Sequence, residues 1–381
     1  MKKGWKFKAV DLYLRLVAPR KVRLQSAQQL MDETNFSHIV IYSTTALGDF
    51  MFNTPAIHAV RQRFPDATIT LVVHQKLYEL VVDGSEWQHV LCWNSKVNSV
   101  PRLVKDIRNI AEPDLAIILH SHDPYDYLSA VLSGARYVLR DNHQDGIEAM
   151  NRWLSGYVIG FHGHLIQRRL ELVAMLGADI NDIAMRIPFP LAPAIKHEHR
   201  IVLGFQMGAS TPERCWPVEY FARLTERVCA SDERIDIVLI GGGEREIAQG
   251  KAFFNTLDNQ YHSRVLNNIG ATTLKELVAT IQGMDMLLTG DTGPLHLAVA
   301  LRVPTVSLFV TATPALTGPY QDPELHDIIY GIQNNLNIQT DNLMRLISLQ
   351  QVEAKVRERI EKIDVTKYAV KKESTEVYTQ K

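Results

Sequence analysis

The sequence predicts an α/β protein of two similar halves, each a parallel sheet covered by helices, with a ligand cleft between them. Three observations predict it. Short, β-branched apolar segments alternate with amphipathic helical stretches along most of the chain, as right-handed βαβ units require when both faces of a sheet are covered. The alternation breaks at Ile187-Pro188-Phe189-Pro190-Leu191-Ala192-Pro193 and then restarts. The 381 residues fit two domains at roughly 100–200 residues each.

In the first half the expected strands are His38–Ser43, Thr68–Val73, His89–Trp93, Asp114–His120 and Tyr137–Arg140, with helices at Thr54–Phe64, Lys76–Val81, Pro101–Ala111 and Tyr127–Ser133. A longer helix over His164–Leu176 closes at Gly177, a residue suited to a left-handed cap. After the prolines, strands are expected at Ile201–Gln206, Asp236–Ile240, Arg264–Asn267, Met286–Thr289 and Thr305–Phe309, and helices at Val218–Ala230, Glu244–Leu257, Leu274–Gly283 and Pro294–Leu301. Residues 341–363 have the mixed charge of a terminal helix, and a frayed polar tail is expected from about Thr366. The organisation is therefore a basic extension over 1–35, an N-terminal domain over 36–187, a linker over 188–199, a C-terminal domain over 200–345, and a helix with a polar tail over 346–381.

Composition narrows the function classes. Hydrophobic residues make up 46% and charged residues 22%, enough apolar material for a sizeable core and against wholesale disorder. A formal net charge of −1 argues against nucleic-acid binding. Cys92, Cys215 and Cys229 form no CxxC pair and no zinc spacing, which fits reduced thiols in a cytoplasm. No run of roughly 18 apolar residues is present, so no transmembrane helix is expected. The N-terminus lacks the apolar stretch and cleavage site of a secretory signal. Residues 1–23 nonetheless hold Lys2, Lys3, Lys6, Lys8, Arg15, Arg20, Lys21 and Arg23 against Asp11 alone, and Trp5, Ala9, Leu12 and Leu16 fall at helical spacing. A basic amphipathic helix of this kind lies on an anionic membrane surface. The alternative is a helix that packs on the domain behind it.

Four strand-end loops carry candidate chemistry. In Met286–Ala300, a buried strand is followed by Gly290-Asp291-Thr292-Gly293 and a helix opened by Pro294, where a missing N–H is harmless. Free amides and the positive helix end suit a diphosphate, and His296 lies in the first turn, within reach of the same pocket. The plain alternative is a capped helix behind a glycine turn. In Phe205–Pro217, Gly208, Ala209 and Ser210 offer backbone and hydroxyl, and Arg214 offers a bidentate cation, unless it is only a surface ion-pairing residue. In Leu239–Glu246 a triple glycine allows close approach, and Glu244 is placed to hydrogen-bond a ribose or base; a tight strand–helix turn is the alternative. In Tyr42–Thr54, Asp49 is placed on the loop as a general base for an acceptor hydroxyl, or as a cap for the next helix.

His120 and His122, with Asp123, and the pair His162 and His164 raise the question of a metal. Two histidines one residue apart on a strand share a face. No third ligand falls at a motif spacing, so no metal is expected, and His120 and His122 are assigned to the acceptor side. No DxD, GxSxG or Walker A sequence is present.

Together the four loops resemble, in order and spacing over roughly residues 38–330, the heptosyltransferases of lipopolysaccharide core assembly, glycosyltransferase family 9. ALGDFMFNTPAIHAVRQRFPDATITLVV, LSGARYVL, GADI and above all GDTGPLHLAVALRVPTVSLF followed by TGPY carry the likeness. The resemblance implies a GT-B fold of two Rossmann-like domains and inverting, metal-independent transfer of a heptose or related sugar from ADP-heptose to a lipopolysaccharide inner-core acceptor. It implies Asp49 as catalytic base. Ser210, Arg214, Glu244, Asp291, Thr292, Gly293 and His296 would be donor-binding residues. It implies a nucleotide-sugar donor and a lipid-linked or core-glycan acceptor as partners, no cofactor, and a place in the cytoplasm or on the inner membrane face. The chain departs from the family pattern at Cys215, Val310 and Thr311, and Arg214 stands where lysine is common. Two other readings share the fold class: a nucleotide-sugar epimerase, which converts donor without acceptor, and a non-catalytic sugar-nucleotide-binding protein.

Overall fold

The computed structural model describes residues 4–17, 29–30, 33, 35–121, 123–143, 147–159, 163–196, 199–331 and 342–378, with side chains to residue 363. The chain divides into two compact units, Met1–Leu191 and Ala192–Lys381.

The first unit holds β1 (His38–Ser43), β2 (Thr68–Val73), β3 (His89–Cys92), β4 (Leu115–His120), β5 (Tyr137–His143) and β6 (Gly156–Ile159), in sheet order β3-β2-β1-β4-β5-β6. All its pairings are parallel. The second unit holds β7 (Ile201–Gln206), β8 (Ile235–Ile240), β9 (Val265–Asn267), β10 (Met286–Gly290), β11 (Thr305–Phe309) and β12 (His326–Tyr330), in order β12-β11-β10-β7-β8-β9, again parallel throughout. Read from its own first strand, each sheet has the doubly wound order 3-2-1-4-5-6. That order reverses direction between strands 1 and 4 and opens a crevice at their carboxyl ends.

The central strands β1, β4 and β7 are buried along their whole length, which is why they read as apolar runs rather than as alternating patterns. Sequence reasoning missed β6 and β12. Both are short, lie at a sheet edge, and carry partly exposed residues, so neither has a strong apolar signal.

Besides two single-turn helices at Tyr78–Val81 and Pro314–Thr317, the helices among the described residues are α1 (Gly4–Val17), α2 (Leu47–Arg63), α3 (Val100–Ile110), α4 (Tyr125–Ser133), α5 (Leu165–Ala174), α6 (Val218–Ser231), α7 (Glu244–Thr256), α8 (Leu274–Gly283), α9 (Gly293–Ala300) and α10 (Leu349–Tyr378). The expectation of a helix starting at Thr54 needs correction: α2 starts at Leu47 and carries Pro55 inside it. Proline there removes the amide that would bond the Met51 carbonyl. The Thr54 hydroxyl replaces it, donating to Met51 O at 2.8 Å.

Both terminal helices belong to the cores. α1 buries Phe7, Val10 and Leu14 in a cluster with Tyr127 and Trp153. Asp11 is buried with them and accepts from Trp153 Nε1 at 2.9 Å. α10 lays Val352, Val356, Ile360 and Ile363, a helical stripe, on the second core, each contributing about 1.5–3 kcal/mol. Instead of fraying near Thr366, α10 continues to Tyr378, through a stretch free of glycine and proline.

Candidate functional site

In the first unit, the reversal point lies between β1 and β4, where Ser43 and His120 are register partners. A three-residue connection leads from Ser43 to α2, so Asp49 stands in the helix's first turn, not on the loop. It makes no cap: the N-cap is Ala46, without a side-chain hydrogen bond. Asp49 Oδ1 faces His120 Nε2 at 3.8 Å, and the imidazole is almost wholly buried while the carboxylate keeps partial access to solvent. His122 lies outside the described residues.

A buried network backs this pair. Arg169 of α5 donates through Nε to Asn53 Oδ1 at 2.9 Å and through Nη1 to Asp141 at the end of β5. Asn53 in turn donates to Ser43 Oγ at 2.8 Å, and Arg168 donates to Asp141 Oδ1 at 2.8 Å. All of Arg168, Arg169 and Asp141 are fully enclosed. Burial pushes the Arg169 guanidinium below its ordinary value, opposed by the carboxylates of Asp141 and Asp49. Asp126 of α4 joins the loops after β1 and β4: burial pushes its carboxyl up to about 6, against hydrogen bonds from Ser121 and Thr44.

In the second unit, the equivalent point lies between β7 and β10. Arg214 holds the two loops together. Its Nη2 donates to Asp291 Oδ2 at 2.9 Å and to Asp291 O at 2.8 Å, while Nη1 donates to Ser210 Oγ at 3.1 Å. His296 Nε2 lies 3.8 Å from Asp291 Oδ1. The Thr292 side chain does not cap α9. It donates to Gln206 Oε1 at 3.2 Å, and Thr289 donates to the same oxygen at 3.0 Å. The amides opening α9 thus receive no cap from the Thr292 side chain, and Gly293 adds no side-chain bulk beside them. Of the expected donor residues, Ser210, Arg214, Asp291, Thr292, Gly293 and His296 fall in this one cluster.

Glu244 does not join it. It stands exposed in the first turn of α7. The acid that turns inward is Glu246, which accepts from Gly242 N at 2.8 Å. A Cβ at Gly208 or at Gly241 (φ +149°) would collide with its carboxyl group, so the loops after β7 and β8 close on Glu246 through glycine. Burial raises the Glu246 pKa. Sequence reasoning missed Glu246, Gln206, Asn53, Asp141 and the Arg168–Arg169 pair. The adjacent arginines on an amphipathic helix were the one visible signal, since a helix that buries its apolar face hides one of two neighbours with difficulty.

Among the described residues, no group of three or more histidine, cysteine, aspartate or glutamate side chains could hold a metal ion. No helix among them is long and apolar enough to cross a membrane.

Two doubly wound units of parallel strands are the architecture of the GT-B fold. Residues 162–341 match the family model described as glycosyltransferase family 9 (heptosyltransferase). The chain is 23% identical over 288 residues to lipooligosaccharide heptosyltransferase 2 of Campylobacter jejuni, covering 74% of this chain and 84% of that protein. In structure it is similar to a family 9 glycosyltransferase of Veillonella parvula, with TM-score 0.70 and 20% identity, over 87% of this chain and 99% of that one. It is also similar to ADP-heptose lipopolysaccharide heptosyltransferase II of Escherichia coli, with TM-score 0.68 and 19% identity, over 86% and 99%. In sequence and in fold the chain is thus similar to heptosyltransferases of glycosyltransferase family 9.

Proposed function

We propose that the protein transfers a heptose from ADP-heptose to an inner-core sugar of lipopolysaccharide, with inversion and without a metal ion. The observation that carries this reading is the division of labour between the two reversal points: a carboxylate beside a buried imidazole in one unit, a diphosphate-suited cluster in the other.

In this reading the second unit binds the donor. Gly293 and the opening amides of α9 receive the diphosphate, Arg214 and Ser210 neutralise and bind it, Asp291 and Thr292 hold that cluster in place, and His296 lines it. Glu244 is positioned at the surface to meet the nucleoside. The first unit receives the acceptor, with His120 beside it. Asp49 takes the proton from the acceptor hydroxyl as its oxygen attacks the anomeric carbon; the bond to the diphosphate breaks, and its electron pair leaves with ADP. A single displacement of this kind inverts the anomeric centre. Arg214 and the helix end supply the positive charge that the leaving group needs, which is the support for metal independence. The names of the relatives support the donor and the acceptor class, and an acceptor of this kind places the protein at the cytoplasmic face of the inner membrane.

A donor panel tests the reading. ADP-heptose with core glycolipid is expected to release ADP and extend the glycan, whereas donor alone stays intact. Conversion of donor without acceptor would make the protein an epimerase. Tight donor binding with no transfer to any core acceptor would make it a binding protein.

A further inference from the structure

We infer that the exposed face of α1 is a docking surface for an anionic lipid bilayer. The inference rests on the glycolipid acceptor proposed above, and it is carried by a separate observation: α1 is apolar on two opposite faces. One is occupied, since Phe7, Val10 and Leu14 pack into the first core. The other holds Trp5, Leu12 and Leu16, which are 66%, 59% and 71% exposed. At 3.6 residues per turn these three share a stripe on the side of the helix away from the buried one. Trp5 is the exception among the five tryptophans; Trp87, Trp93, Trp153 and Trp216 are all buried.

Charge identifies what would cover this stripe. Lys8 and Arg15 flank it, and Lys2, Lys3, Arg20, Lys21 and Arg23 precede and follow the helix in sequence. The single acid of the segment, Asp11, is turned into the core and compensated there by Arg15 Nη2 at 2.7 Å and Arg152 Nε at 3.5 Å. An apolar stripe within a cationic segment is complementary to lipid headgroups of negative charge with acyl chains beneath them, and a second copy of the same cationic helix would be repelled. The placement also suits an acceptor held in a membrane. Lys6 of α1 bonds Asp123 Oδ1 at 3.0 Å, in the loop that follows His120, so the helix is fastened to the acceptor-side loop of its own unit.

The test is sedimentation of the full chain with vesicles of phosphatidylglycerol and phosphatidylcholine, against vesicles of phosphatidylcholine alone. Binding is expected to the anionic vesicles only, to weaken with added salt, and to shift Trp5 emission to the blue. Leu12→Gln with Leu16→Gln should weaken binding by about tenfold or more, with unchanged thermal midpoint and unchanged transfer to a delipidated, water-soluble core oligosaccharide. Lys2→Gln with Lys3→Gln and Lys8→Gln should weaken it independently. Absence of binding to anionic vesicles, binding untouched by the leucine substitutions, or a dimer closed through this helix would overturn the inference. Transfer to the soluble oligosaccharide would stand in each of those cases, whereas vesicle binding without any heptosyl transfer would reject the proposed activity and leave the docking surface.

Discussion

The carboxylate of Asp49 and the Nε2 of His120 stand 3.8 Å apart at the point where the first sheet reverses direction. The separation is longer than a direct hydrogen bond, and it leaves room for a hydroxyl group to approach the carboxylate, which is still partly open to solvent.

Replacing that carboxylate by its neutral isostere should therefore remove proton acceptance and little else. Asp49→Asn is expected to lower kcat by about 10²–10⁴-fold. The dissociation constant for the donor should stay within a factor of about two, since Asp49 lies in the other unit from the donor cluster. Single-turnover rates with titration of donor binding check this; a variant that turns over at the wild-type rate would remove Asp49 from the chemistry.

Arg214 has a different signature. It makes three hydrogen bonds joining Ser210 to Asp291. Arg214→Ala should weaken donor binding by about 10–100-fold, the equivalent of ~1.5–3 kcal/mol for bonds to a charged group. Arg214→Lys keeps the charge and loses the fork, so it should recover only part of the affinity. Calorimetric titration with ADP and with ADP-heptose distinguishes the two variants.

Asp141 is the buried countercharge for two arginines. Asp141→Asn leaves Arg168 and Arg169 enclosed without it and should destabilise the first unit by about 3–5 kcal/mol. Denaturant unfolding of the full chain measures the loss, which should fall on the transition of that unit alone. An unchanged unfolding curve would show that the pair is hydrated or neutral in solution.

Asp126 predicts a pH dependence. Its carboxyl is raised from 3.8 to about 6 by burial, so the folded state holds a proton that the unfolded chain releases. The resulting stabilisation is complete below about pH 4 and is lost as pH rises through about 6, a change of about 3 kcal/mol across the window. Asp126→Asn, neutral at every pH, should flatten the stability of the first unit between pH 4 and pH 7. Thermal melts at both ends measure this, and a parallel pH slope in the variant would assign the dependence to another group.

The strands were legible because each central one is covered on both faces and writes its burial directly into a run of apolar residues; β1, β2, β7 and β11 match their expected bounds. The four chemistry-bearing loops were legible for the same reason, since each follows such a strand. Edge strands β6 and β12, half covered, left no such trace. The helix carrying Asp49 starts ahead of the expected Thr54 although Pro55 is a residue type suited to a first turn, because the Thr54 hydroxyl bonds the carbonyl three residues back that the proline leaves without an amide.

Local periodicity names the elements and says nothing about which distant ones become neighbours. The sequence alone determined two α/β halves of parallel strands, their glycine turns and the residue types at their strand ends. Sheet order decided the rest: it set Ser43 beside His120 across more than one intervening crossover, closed Arg214 on Asp291, and turned Glu246 rather than Glu244 toward the glycine loops. Along α1 the sequence showed an amphipathic helix, and only packing could choose which of its two apolar faces the core would take, because burial depends on the shape of the partner surface as well as on the spacing of the residues.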